Sequence, residues 1–168
     1  MSYRHLGWVL VLACLGACNR SPEPATTSAP AASAPRKAPL SPDMVSAVSG
    51  SKGGSAVDLK FALASRPEPG RPLDIDIALV PSDAAATIRV IVQNIDGIAI
   101  TAGQEVTIPR GSEPGVPIVH RVTVVPERDG IFSLSAVALI DTDRTSLTRT
   151  FAIPIIVGQG VTPGQLAP

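Results

Sequence analysis

Few side chains in this sequence are equipped for chemistry. Beyond residue 5 there is one histidine, His120, in an alternating apolar run beside Val122 and Val124. A serine or cysteine nucleophile needs a base that titrates near neutrality, and no GxSxG, HExxH or P-loop motif is present. A lone histidine also falls short of a transition-metal site, so His120 is expected to be a packed strand residue. Two carboxylate pairs remain. Asp74 and Asp76 are two apart in Leu73-Asp-Ile-Asp-Ile-Ala-Leu79, so both project from one strand face. That spacing suits a hard cation or an acid–base pair; it equally suits the wet side of a strand whose dry side is Ile75 and Ile77, which is the expectation here. Asp141-Thr-Asp143 has the spacing with which a calcium loop opens. Its sixth position is Ser146 where such a loop has Gly, and its twelfth is Ala152 where the loop has Glu. A hairpin turn is expected, with Asp141 and Asp143 kept as the candidate metal ligands. No catalysis and no cofactor are expected.

Charge and aromatic content narrow the partners. Lys+Arg and Asp+Glu are both 14, a formal net charge of zero, which lacks the clustered basic excess of a nucleic-acid footprint. The only Trp and Tyr, Trp8 and Tyr3, lie in the first ten residues, leaving Phe61, Phe132 and Phe151 for the rest. Base stacking and sugar binding both rely on aromatic platforms, and three Phe in apolar strands read as core.

The chemistry with the sharpest signature is at the N-terminus. Arg4 precedes the apolar run Leu6–Leu15, which is too short to span a bilayer and reads as a signal peptide. Leu15-Gly16-Ala17-Cys18 follows directly and resembles the lipobox of bacterial lipoproteins. The resemblance implies cleavage before Cys18, diacylglycerol on its thiol and acylation of the new N-terminus; several acyl chains anchor stably where one is marginal. It also implies, through Asn19 rather than Asp at the next position, the outer membrane, with the chain in the cell envelope facing the periplasm. Cys14 would leave with the peptide, so the mature chain has no intrachain disulfide.

Residues 19–55 hold six Pro, seven Ala, eight Ser and three Gly in 37 positions. Such composition buries too little apolar surface to offset chain entropy. From 56 to 158 the pattern changes to 14 Ile and 12 Val against seven Leu, a β-branched bias that favours strands. Period-two alternation predicts strands near 57–63, 73–79, 88–92, 98–102, 105–108, 120–125, 131–140 and 147–157. Turn-forming clusters separate them, Asp96-Gly97 among them. The expected fold is all-β, a single antiparallel immunoglobulin-like sandwich. Gly70–Pro81 and Val124–Leu134 resemble segments of bacterial Ig-like and fibronectin-III-like modules, without the Trp, Cys pair or corner Tyr of a true immunoglobulin domain. The organisation expected is a signal peptide at 1–17, the lipidated Cys18 and a flexible linker over 18–55, the sandwich over 56–158, and a disordered tail at 159–168. The function expected is a non-catalytic, lipid-anchored module that contacts another envelope protein or serves structurally. A periplasmic ligand- or metal-binding module, using Asp141, Asp143 or His120, is the second possibility. Pro154 in the last strand predicts a sheet edge or a bulge there.

Overall fold

The computed structural model of the chain describes residues 34–50 and 56–158. Alternating aliphatics generate eight principal strands: β4 (Val57–Leu63), β5 (Leu73–Pro81), β6 (Thr87–Gln93), β7 (Ile98–Ala102), β8 (Glu105–Ile108), β9 (Ile118–Pro126), β10 (Gly130–Asp141) and β11 (Ser146–Val157). Three short ones precede them: β1 (Arg36–Lys37), β2 (Val45–Ser46) and β3 (Val48–Ser49). All pairings are antiparallel. In one sheet β4 pairs with β5, β5 with β9, and β9 with β7; in the other the order is β3-β11-β10-β6-β8. The orders β4-β5-β9-β7 and β11-β10-β6 are those of the ABED and GFC sheets of the immunoglobulin sandwich, with β8 added beside β6. The protein is an all-β, immunoglobulin-like sandwich.

The dry faces are those the alternation predicts. Leu59, Phe61, Ile75, Ile77, Val122 and Val124 from one sheet meet Ile88, Val90, Leu134, Ile140, Ile153 and Ile155 from the other in one buried cluster. With no disulfide among the described residues, this apolar burial carries the fold, at about 25 cal/mol per Å² removed from water.

Composition predicts a flexible linker through residue 55, but residues 34–50 are ordered against the sandwich. β1 pairs with β9 at Arg36↔Val119, β2 with β4 at Val45↔Phe61, and β3 with β11 at Val48↔Ala152. Since β9 and β4 lie on either side of β5, residues 38–44 must cross the sheet from one margin to the other. Four strand spacings are about 19 Å, within reach of the roughly 3.3 Å per residue of an extended chain. Strand parity puts Ala78 and Val119 on the outer face, yet they are 0% and 5% exposed, and Leu40 and Met44 of the crossing segment are half-buried. Ala47 then packs against the core, between the two sheet margins. Residues 34–50 thus form a strap, held by backbone pairing that a Pro/Ala/Ser-rich composition does not forbid.

Candidate functional site

On the outer face of the first sheet, β5 and β9 bring Asp74, Asp76, Arg121 and Thr123 together, because Asp74 stands opposite Thr123 and Asp76 opposite Arg121. The Arg121 guanidinium donates through Nε to Asp76 Oδ1 at 2.8 Å and through a terminal nitrogen to Oδ2 at 3.1 Å. Its other terminal nitrogen is 3.7 Å from Asp74 Oδ2, while Thr123 Oγ1 donates to Asp74 Oδ1 at 2.7 Å. These hydrogen bonds from Arg121 to Asp76 are the main reason its pKa lies above the ordinary value for arginine, Coulombic attraction to both carboxylates adding to them. The two carboxylates share a face as their spacing predicts, and the oxygens a cation would use are engaged by a cation already present. Sequence reasoning did not find Arg121, which is 45 residues from Asp76.

His120 is on the core face, opposite Ile77 and 4% exposed. Its Nε2–H donates to the Gly103 carbonyl at 2.8 Å, and Nδ1 is buried without a protein partner. Gly103 has φ +72°, and a Cβ there would stand 2.0 Å from the Arg121 carbonyl oxygen. Only glycine lets the chain turn tightly enough behind the β7 bulge to meet the imidazole.

The Asp141–Ser146 segment is a hairpin end, Asp141 and Ser146 standing in register. Thr142 and Thr145 close the turn: the Thr142 amide donates to the Thr145 carbonyl at 2.9 Å, and the Thr145 amide donates to Thr142 Oγ1 at 3.1 Å. Asp143 is paired with Arg110. Among the described residues, no group of three or more His, Cys, Asp or Glu is arranged to hold a metal ion. Cys18 and residues 159–168 lie outside the described residues.

The outer face of β10 and β11 has a different chemistry. Cross-strand pairs run Ile131–Ile156, Ser133–Pro154, Ser135–Ala152, Val137–Thr150 and Leu139–Thr148, and Val48 of the strap stands beside Ala152. None of these side chains is charged. Ile131 is 82% and Ile156 57% exposed, side by side at one end of the sandwich. The ladder passes through Pro154 without a bulge. The Gly50 amide donates to the Thr150 carbonyl, so even-numbered residues of β11 aim their backbone groups away from β10, and the Pro154 ring nitrogen points to the open margin beyond β3.

No family model matches the chain, and no curated protein sequence does. Among solved structures it is similar to the GAE domain of GGA2p from Saccharomyces cerevisiae, with TM-score 0.45 and 6% identity over 67% of this chain and 96% of that one.

Proposed function

We propose that the chain is a non-catalytic lipoprotein of the bacterial cell envelope, anchored through lipid on Cys18 in the outer membrane and facing the periplasm, whose sandwich is an interaction or structural module. The anchor rests on one observation, Leu15-Gly-Ala-Cys18 directly after a short apolar run. The module half draws support from the outer face of β10 and β11, which is uncharged from the Ile131–Ile156 pair to the Leu139–Thr148 pair and has Asp141 at its far end. A face of Ile, Val, Pro, Ser and Thr is poor material for acid–base or metal chemistry and good material for protein contact. Asp74, Asp76 and Asp143 meanwhile are tied to arginines.

Fractionation tests the anchor: Cys18→Ser moves the protein from the membrane to the soluble periplasmic fraction, and retention in the membrane would refute it. Crosslinking in intact cells tests the module. Ile131→Asp leaves the fold standing and abolishes any partner adduct that the unaltered chain forms; an unchanged adduct pattern would place the contact elsewhere.

A further inference from the structure

β4 is a marginal strand of its sheet, and the strap covers its outward side at Leu59 and Phe61. The Ser82 amide donates to the Ala56 carbonyl, and the Ala64 amide donates to Asp74, so even-numbered residues of β4 face β5. Odd-numbered residues therefore face outward. There the Ala47 amide donates to the Leu59 carbonyl at 2.9 Å, and Val45 stands in register with Phe61. This cover is thin. β2 is two residues long and both are exposed, which is the profile of a segment that opens at far lower cost than the sandwich unfolds.

We propose that the strap gates a self-pairing edge: while β2 is docked the domain is monomeric, and when β2 leaves, β4 pairs antiparallel with β4 of a second copy. The occupant is chosen by charge and register. A two-fold axis at Leu59 sets Leu59 against Leu59 of the second copy as a hydrogen-bonded pair, using the outward backbone groups that the strap otherwise takes. The flanking positions then oppose each other as closely spaced, non-hydrogen-bonded pairs. Asp58 of each copy meets Lys60 of the other, twice over, on the outer face. Such an interface is isologous and closes as a dimer. The other three margins are poorer templates. β7 is broken by a bulge between Ile100 and Ala102. Along β11 the outward position after the strap is Pro154, which has no amide hydrogen, and β8 is four residues long and followed by Pro109.

Sedimentation equilibrium on the secreted chain, made with Cys18→Ser so that any lipidation is removed, tests this whether or not the lipoprotein reading holds. The parent should sediment with the mass of one chain. Val45→Pro with Ala47→Pro removes the strap's donors to β4 and should give a concentration-dependent dimer. In that background Lys60→Asp sets Asp against Asp and should weaken dimerisation at least tenfold; adding Asp58→Lys reverses both signs and should restore it. Should the double proline variant unfold, Ala47→Pro alone removes the one donor to Leu59 and takes its place. A folded, released chain that stays monomeric overturns the proposal, as does a dimer indifferent to both charge variants.

Discussion

Exchanging character between Asp76 and Ile77 tests the face assignment on which both the core and the surface description depend. Ile77 is 1% exposed in the buried cluster, with Phe61 and His120 as its cross-strand neighbours. Replacing it with Asp forfeits roughly 1.5–3 kcal/mol of apolar burial. The new carboxyl would escape ionisation by binding a proton, at about 1.4 kcal/mol per pH unit; from a normal value near 4 to pH 7 that adds about 4 kcal/mol. The sum, about 5.5–7 kcal/mol, falls in the lower part of the 5–15 kcal/mol that holds typical domains. Asp76→Ile is a different perturbation. It removes two charge-assisted hydrogen bonds from a half-exposed Arg121 that keeps Asp74 within 3.7 Å, and solvent screening holds the loss to about 1 kcal/mol or less. The added β-branched side chain suits the strand and offsets part of it. In urea, with a slope of about 1–3 kcal/mol per molar, Asp76→Ile should shift the midpoint by less than about 1 M. Ile77→Asp should show no cooperative transition at pH 7 and recover stability as pH falls toward 4. Equal midpoint shifts for the two variants would refute the assignment.

Other outcomes follow from single contacts. Gly103→Ala should destabilise the fold by several kcal/mol, seen as a fall in Tm, because its Cβ meets backbone rather than a movable side chain. Thr142→Val removes the hydroxyl that caps the β10–β11 turn and should lower the urea midpoint by about 1 kcal/mol equivalent. Pro154→Val adds an outward amide without disturbing the β10 ladder; light scattering should show increased self-association with Tm little changed.

Much of the architecture was legible because its strands carry a strict two-residue period. The eight segments predicted from Val57 onward coincide with β4 to β11 to within a few residues. His120 falls on the face that Val122 and Val124 define, and Pro154 is accommodated by an outward nitrogen without a bulge. The strap was not legible. Val45, Ala47 and Val48 are too few to show periodicity, and their order comes from sheet margins donated by strands elsewhere in the chain. The Asp74–Asp76–Arg121 cluster escaped for a related reason: its members meet through the β5–β9 register, which alternation alone does not fix. The bond from His120 to Gly103 depends on a bulge and a positive φ, neither of which residue type specifies.

The central claim is a chain tethered to the membrane through a single thiol. Intact mass spectrometry of the mature protein extracted from membranes addresses it directly. The account predicts a chain beginning at Cys18 with the added mass of a diacylglycerol and an N-acyl group, all carried on that residue. An unmodified N-terminus, or cleavage at any other position, would contradict it.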